Sequence, residues 1–327
     1  MNDFHKNPEA ETARSSNHPG TMNRRHFLAS LGLSAAAFSL ITSGTFSPSW
    51  VQANSVSHED IPVNPNHFVL LADTHCGPHL KHQINFMKKS LSEIAAMNPR
   101  PAHVLIYGDF AFLYGKKTDY LVLKELMATL DKVQIPWTVC MGNHDRRDFF
   151  SEIFPEHAAK SLMADRLVFK VETPNVDFIL LDSLCQAPDD SRWITPGEVL
   201  DDQKDWLNET LKKQTKPVIV GAHHSLDETK VDDILKSHSC VAGYVNGHHH
   251  TWSTEPQKDL PALILPSNGH WGDIGLVNVH ANENEAVFKF TMRDFLVFNK
   301  TPEFKPNPLR HQKLAEKQGA VWRLDLK

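Results

Sequence analysis

The chain has 327 residues, of which 41% are hydrophobic and 22% are charged, a composition that is ordinary for a soluble globular protein. Its formal net charge is -5, so no basic surplus favours a nucleic-acid duplex as a partner. The chain has 20 histidines, which is an unusually high number. Histidine is the commonest metal ligand and a proton carrier near neutral pH, so this number points to a functional role.

The first 53 residues predict an export segment. Arg24 and Arg25 precede the mostly apolar run Ala29–Ile41, and small residues surround Ala53. A twin arginine, an apolar run too short to span a bilayer securely and a small-residue end are typical of a bacterial Tat-type signal. We therefore expect transport by the Tat translocase, cleavage near Ala53, a periplasmic or other extracytoplasmic location and no stable membrane anchor afterwards. The alternatives are a retained anchor or a chance arginine pair.

Residues 54–66 predict a linker, residues 67–296 one α/β domain and residues 297–327 a C-terminal extension. Apolar runs predict strands at Phe68–Ala72, His103–Tyr107, Trp137–Met141, Val218–Ala222, Val241–Val245, Ala262–Leu265, Leu276–His280 and Ala286–Thr291. Amphipathic spacing predicts helices at Leu80–Met97, Asp119–Leu130, Gln203–Lys213 and Asp232–Ser237. The initial βαβαβ order implies parallel strands joined by right-handed crossovers. Two sheets packed face to face, with helices outside, account for the whole pattern.

Two further segments predict antiparallel pairing. Arg166–Glu172 and Val176–Leu181, separated by Pro174 and Asn175, have the pattern of a β-hairpin. Near the end of the chain, residues 320–326 could add an edge strand. The sheets are therefore expected to be mixed.

Polar residues with ligand-type side chains follow five of the predicted strands. These blocks are Asp73-Thr74-His75, Gly108-Asp109, Gly142-Asn143-His144-Asp145, His223-His224 and Gly247-His248-His249-His250. Sites in α/β sheets form at the carboxyl ends of strands, where loops can carry ligands. Each block alone is a common turn or a solvated loop, whereas the ordered set indicates one shared site. Oxygen and imidazole ligands without thiolate suit Zn, Mn or Fe(II).

The four cysteines show no CxxC spacing, so a cysteine zinc site is disfavoured. An oxidising compartment would permit disulfides, in a pairing that the sequence does not specify. We favour the alternative that they are small buried residues near strand ends.

The ordered blocks resemble the calcineurin-like metallophosphoesterases over roughly residues 68–294. The resemblance implies a four-layer αββα sandwich with two divalent metal ions at the strand ends. In the implied ligand set, one ion is bound by Asp73, His75 and His250, the other by Asn143, His223 and His248, and Asp109 bridges them. It further implies that His144 contacts the phosphoryl group or protonates the leaving oxygen, and that Asp145 orients His144.

Two departures limit the resemblance, and a neighbouring arginine pair is interpreted separately. Phe112 stands where many members of the family have Asp or Tyr, which argues against the purple acid phosphatases. His224 follows His223 without the proline found in many phosphodiesterases, and alignment favours His223 over His224 as the ligand. Arg146 and Arg147 follow the third block, and an exposed pair that opens a helix is favoured over a phosphate contact.

These features predict an exported, dinuclear metal-dependent phosphoesterase that acts on a small phosphate ester. The expected reaction is in-line attack by a hydroxide that bridges two ions of Mn, Zn or Fe. Phosphodiesters and phosphomonoesters both remain candidates, including nucleotides, cyclic nucleotides and glycerophosphodiesters. The alternatives are a non-catalytic metal-containing protein that binds a phosphorylated envelope component and a hydrolase of non-phosphate esters.

Overall fold

Eleven strands and eight helices are present in the part of the chain that the computed structural model describes, residues 61–269, 275–292 and 308–327. The predicted export segment lies outside these residues. The strands are β1 (Val63–Leu71), β2 (Arg100–Tyr107), β3 (Trp137–Cys140), β4 (Phe169–Val171), β5 (Asp177–Leu180), β6 (Val218–Gly221), β7 (Val241–Asn246), β8 (Ala262–Ile264), β9 (Gly275–Ala281), β10 (Glu285–Met292) and β11 (Val321–Asp325). The helices are α1 (Lys81–Ala95), α2 (Lys117–Lys132), α3 (Arg147–Ile153), α4 (Pro155–Ala158), α5 (Asp201–Lys212), α6 (Leu226–Thr229), α7 (Asp232–Lys236) and α8 (Pro308–Ala315).

The strands form two mixed sheets. The first has the order β11-β10-β9-β1-β2-β3 and the second β4-β5-β6-β7-β8. Strands β1, β2 and β3 are parallel, as the βαβαβ order predicted, and β9 to β11 join them antiparallel. In the second sheet β5 to β8 are parallel, and β4 pairs antiparallel with β5 as the predicted hairpin. The predicted edge strand is confirmed as β11.

The core lies between the sheets and beneath the helices that flank them. Phe68 of β1 and Phe178 of β5 meet edge to face with ring centroids 5.1 Å apart. Because successive side chains of a strand point to opposite faces, β6 directs Ile219 into this central core, while Val220 packs with Leu207 of α5 on the other side. This layering confirms the expected α/β fold of two mixed sheets with flanking helices.

Two other properties bear on the expectations from sequence. All four cysteines are free, and Cys76 and Cys140 are buried beside strand ends, whereas Cys185 and Cys240 are only partly buried. No helix among the described residues combines the length and the apolar character needed to cross a membrane.

Parallel pairing brings the carboxyl ends of the strands to one edge of each sheet. The loops after β1 and β2 are joined there by hydrogen bonds from the backbone N–H of Asp73 to the Gly108 carbonyl and of His75 to the Asp109 carbonyl, at 3.0 and 2.9 Å. A Cβ on Gly142, after β3, would come within 2.3 Å of Asp109, so only glycine permits this approach. The three loops are therefore packed into one surface.

Candidate metal centre

A first group of side chains meets where the loops after β1, β2 and β7 converge. Nε2 of His250 lies 3.1 Å from Oδ1 of Asp73, and Nε2 of His75 lies 3.5 Å from Oδ2 of Asp109. The two histidine nitrogens are 3.3 Å apart. One ligand atom from each of these four residues lies within 4.8 Å of the others, a spacing that can surround one metal ion.

A second group surrounds Nε2 of His223, which follows β6. This nitrogen lies 3.3 Å from Oδ2 of Asp109, 3.1 Å from Oδ1 of Asn143 and 3.2 Å from Nδ1 of His248. The ring orientation is fixed because Nδ1–H of His223 donates to the Tyr107 carbonyl at 2.9 Å. In the neutral ring Nε2 therefore directs a lone pair toward Oδ2 of Asp109 and Oδ1 of Asn143, which are also hydrogen-bond acceptors. A cation between these three atoms would be bound by all of them.

The donor atoms fit a divalent metal ion. Oδ2 of Asp73 is buried and makes no hydrogen bond within the described residues, so it has an unused lone pair in the interior. The remaining donors are carboxylate and amide oxygens and imidazole nitrogens, the set that suits Zn, Mn or Fe(II). Oδ2 of Asp109 belongs to both groups, because it lies within 3.5 Å of a histidine nitrogen in each.

Electrostatics within the cluster favour bound positive charge. Burial favours the neutral form of His223, but the Asp109 carboxylate outweighs burial and raises the pKa of His223 to about 10. Burial likewise acts against the ionised form of Asp109, yet His223, His144 and His75 hold its pKa well below the ordinary value. Burial and the neighbouring His223 lower the pKa of His248 to about 3. The site thus keeps Asp109 ionised and concentrates one positive charge next to it.

The backbone is strained at most of the predicted ligands. Positive φ angles of 44–68° occur at Asp73, His75, Asp109, His248 and His250. Residues with a Cβ rarely adopt this left-handed conformation, and each instance costs on the order of 1–3 kcal/mol. Such strain clusters at functional sites, where the surrounding packing holds side chains in a set geometry.

His144 is oriented by a backbone carbonyl. Its Nδ1–H donates to the Leu113 carbonyl at 2.6 Å, and its backbone N–H donates to Oδ1 of Asp109 at 2.9 Å. Its ring centroid is 5.1 Å from that of His75. With Nδ1 committed to Leu113, Nε2 is the nitrogen that can exchange a proton with a ligand.

The prediction that Asp145 orients His144 is wrong. The Asp145 carboxylate accepts hydrogen bonds from the backbone N–H groups of Ala111 and Gly142, both at 2.9 Å, from Phe110 N–H at 3.2 Å and from the Tyr120 hydroxyl at 3.3 Å. These groups hold the buried carboxylate, and Nδ1 of His144 is bound by the Leu113 carbonyl instead. The Asp145 carboxylate ties the loop after β2 to the loop after β3.

His223 and His224 are adjacent but occupy different environments. Nδ1 of His224 lies 2.8 Å from the Ser183 hydroxyl, and Nε2 lies 3.1 Å from the Thr195 carbonyl. A neutral ring satisfies both contacts by accepting at Nδ1 and donating at Nε2, and burial holds the pKa of His224 well below its ordinary value. Although a nitrogen of His224 lies within 4.8 Å of His223 and His248 nitrogens, its hydrogen bonds favour His223 as the ligand.

The expectation that Arg146 and Arg147 form an exposed pair is wrong. Arg146 is 7% exposed and donates to the Ala187 carbonyl at 3.1 Å. Arg147, at the start of α3, binds the buried Asp182 carboxylate through two nitrogens, at 2.6 and 2.8 Å, and also donates to the Leu184 carbonyl. Both guanidinium groups therefore anchor the loop after β5. Sequence alone did not reveal these partners, which lie 35 or more positions away.

One side chain beside the cluster was not predicted from sequence. Trp193 lies in the loop between β5 and α5, and its ring centroid is 5.2 Å from that of His144. Tyr114 also packs against the indole, with ring centroids 5.5 Å apart. No periodic pattern marks this loop, so nothing in the sequence placed it near the strand ends.

The chain is similar in sequence to known proteins. The family model for the calcineurin-like phosphoesterases matches residues 67–252. A protein of Psychrobacter arcticus described as a probable cyclic nucleotide phosphodiesterase is 23% identical over 183 residues, which cover 50% of this chain and 62% of that relative. The match thus spans less than two thirds of the relative's length.

Solved structures resemble the fold. GAP50, the anchor in the inner membrane complex of Plasmodium, superposes with a TM-score of 0.50 at 13% identity, covering 80% of this chain and 89% of its own. A putative 5'-nucleotidase from Staphylococcus aureus gives a TM-score of 0.44 at 14% identity, covering 76% of this chain and 58% of its own. At these identities only the overall fold is comparable.

Proposed function

Because the chain belongs to the calcineurin-like phosphoesterase family, we propose that it is an exported metal-dependent hydrolase of phosphoric esters. The observation that carries the proposal is the position of Oδ2 of Asp109, which lies 3.5 Å from Nε2 of His75 and 3.3 Å from Nε2 of His223. One carboxylate oxygen thus adjoins two groups of metal-binding side chains. A carboxylate in this position is suited to a centre that holds two ions side by side.

The proposed ligand set follows from the two groups. One ion is held by Asp73, His75, Asp109 and His250, and the other by Asp109, Asn143, His223 and His248. Two such ions would supply positive charge that activates water and neutralises the phosphoryl oxygens. Mn, Zn and Fe are the candidates because the donors are oxygens and imidazole nitrogens.

His144 is the proposed general acid. Its Nδ1–H is held by the Leu113 carbonyl, so a second proton, taken up from solvent to form the imidazolium, lies on Nε2 and can be given to the leaving group. In the reaction, the oxygen of water bonds to phosphorus as the bond from phosphorus to the leaving oxygen breaks. The leaving oxygen then takes the proton from Nε2 of His144, and the water proton is released to solvent.

The substrate class and the location are inferred from other observations. The similarity to a probable cyclic nucleotide phosphodiesterase supports phosphodiesters of the nucleotide type, with phosphomonoesters and glycerophosphodiesters as further candidates. The twin arginines Arg24 and Arg25 support export by the Tat translocase to the periplasm. Both arginines lie outside the described part of the chain, so this support comes from the sequence.

Metal analysis combined with hydrolysis assays tests the proposal. Purified mature protein is assayed with bis(p-nitrophenyl) phosphate, p-nitrophenyl phosphate and p-nitrophenyl acetate, with and without Mn or Zn. We expect metal-dependent hydrolysis of at least one phosphate substrate and little of the acetate. Hydrolysis of the acetate alone would overturn the assignment, and bound metal without any hydrolysis would favour a binding protein.

A pair of buried aspartates provides a matched comparison. Asp109→Asn should lower turnover more than about 100-fold and reduce the metal content, because even changes to residues that support a ligand commonly cost 10–100-fold. Asp177→Asn is the control, since Asp177 is 1% exposed, comparable to 2% for Asp109, but pairs with Lys216 far from the cluster. Full metal-dependent activity in Asp109→Asn would contradict the proposed centre.

A further inference from the structure

Four rings lead from the metal-binding cluster to the surface. His75 lies 5.1 Å from His144, His144 lies 5.2 Å from Trp193, and Trp193 lies 5.5 Å from Tyr114, measured between ring centroids. His75 is 3% exposed and Trp193 is 39% exposed, whereas His144 and Tyr114 are partly buried. The indole therefore stands at the solvent-facing side of His144.

Trp193 does not serve the hydrophobic core. Neither it nor Tyr114 belongs to the clusters of buried apolar side chains that hold the two sheets and their helices. Of the eight large hydrophobic side chains exposed among the described residues, Trp193, Ile194 and Leu200 are on the loop between β5 and α5. Trp193 is the member of this group that packs against His144, so it is the exposed apolar side chain that we assign to the site.

The loop that carries Trp193 is fastened at several points. Nε1 of the indole donates to the Thr195 hydroxyl at 3.1 Å, and the Thr195 carbonyl accepts from Nε2 of His224 at 3.1 Å. At its start, the Ala187 carbonyl accepts from the Arg146 guanidinium at 3.1 Å. Because residues on both sides of Trp193 are bound to buried side chains, the loop around the indole is ordered before any ligand arrives, which reduces the entropy lost on binding.

We propose that Trp193, together with Tyr114, binds a planar aromatic ring carried by the leaving oxygen of the substrate. The inference rests on the proposed function, in which Nε2 of His144 gives its proton to that oxygen. The group attached to the leaving oxygen must then lie on the His144 side of the phosphorus, where the indole stands. A planar ring can stack on the indole, and such stacking tolerates many ring types.

Phosphonates separate ring binding from hydrolysis. Phenylphosphonate places a ring directly beyond phosphorus, the methylene phosphonate analogue of AMP places a base beyond a sugar, and methylphosphonate has no ring. None has a P–O bond to a leaving group at that position, so calorimetric titration of the metal-loaded protein measures affinity alone. We expect at least one ring compound to bind about 5- to 150-fold more tightly than methylphosphonate, the range for one stacked ring.

Substitutions assign that preference to the indole. Trp193→Ala should abolish the preference while methylphosphonate binds as before, and Trp193→Phe should retain most of it. Ile194→Ala is the matched control, because Ile194 is the next residue and is also 39% exposed, and it should keep the full preference. The phenyl and adenosine arms show whether the ring sits directly on the leaving oxygen or beyond a sugar.

The outcomes for the two proposals differ. If all three phosphonates bind equally while phosphate esters are hydrolysed, the aromatic site is disproved and the proposed function stands. A ring preference that survives in Trp193→Ala would also disprove it. If the metal-loaded protein neither binds methylphosphonate nor hydrolyses any phosphate ester, the proposed function itself fails.

Discussion

Nε2 of His223 lies 3.3 Å from Oδ2 of Asp109, a distance at which the two side chains can share one cation. The Tyr107 carbonyl holds the hydrogen of His223 on Nδ1, so the contact cannot be an ordinary hydrogen bond of the neutral ring. A second proton or a metal ion must stand between them. The fold thus favours binding of a cation between two side chains that are almost fully buried.

The adjacent histidines His223 and His224 offer a comparison within one loop. His223→Gln should lose much of the metal content, because Nε2 of His223 faces Asp109 and Asn143. His224→Gln should retain it, because both nitrogens of that ring are engaged with Ser183 and Thr195. Elemental analysis after dialysis measures the difference. Loss of metal from His224→Gln alone would reverse the assignment.

Removing the imidazole of His144 should slow the reaction without releasing metal. General acid catalysis contributes about 10²- to 10⁴-fold, so His144→Ala should lower kcat within that range for esters of alkyl alcohols. The loss should be smaller for p-nitrophenyl esters, because p-nitrophenolate leaves without a proton. Steady-state kinetics on both substrate types, with metal analysis of the same samples, tests this. An equal loss for both leaving groups would argue against proton donation, and missing metal would identify His144 as a ligand.

Asp145 should contribute to stability because its carboxylate joins two loops. In Asp145→Asn one oxygen becomes an NH₂ group that faces backbone N–H donors, so at least two accepted hydrogen bonds are lost, including one from Gly142 or Ala111. We expect a loss of about 2–4 kcal/mol in the free energy of unfolding, measured with urea. Asp148→Asn, at a carboxylate that is 48% exposed, is the control and should cost less than about 1 kcal/mol. Equal losses in the two variants would show that the loop contacts add little.

His103 should make stability depend on pH away from the metal-binding cluster. Burial, then the nearby Lys160 and His157, lowers the pKa of His103 from 6.5 to about 4. As the pH falls, His103 is therefore protonated near pH 6.5 in the unfolded chain but only near pH 4 in the folded protein. The stability from this site is complete above pH 6.5 and is lost as the pH falls toward 4.

The comparison of His103→Gln with the wild type measures that contribution. Between pH 7 and 4.5 the wild type should lose about 2–3 kcal/mol more of unfolding free energy than His103→Gln, since one pKa unit corresponds to about 1.4 kcal/mol. Gln can still reach the Thr138 hydroxyl that lies 2.8 Å from Nε2 of His103. His79→Gln, at an exposed position, should follow the wild type. Parallel pH profiles for His103→Gln and the wild type would refute the effect.

Hydrophobic patterning was sufficient to place the central strands because they are buried on both faces, as in β5 and β6. Phe68 and Val218 lie in apolar runs that could only be interior strands, and the polar residues that end those runs marked one edge of each sheet. The short helices α3, α4 and α6 carry four to seven residues each, too few for a periodic signal. They were therefore missed or only suggested.

The site was predictable in its residue types but not in its supporting contacts. Chain order revealed which residues would gather, whereas the direction of a side chain after a tight turn depends on backbone angles that sequence does not specify. Asp145 points inward for this reason. Arg147 and Trp193 depend on distant partners, Asp182 and His144, which only the folded chain brings near.

The antiparallel half of the first sheet limits how the chain can be shortened for study. β1 is hydrogen-bonded along one side to β9, and the outer edge of β10 is covered by β11, whose Leu324 is 3% exposed. A gene fragment cut to the family match at residues 67–252 would leave β1 with a bare edge beside the metal-binding loops. Such an edge invites pairing between copies and aggregation. Recombinant versions should therefore retain the chain through residue 327, even though the last strand is far from the chemistry.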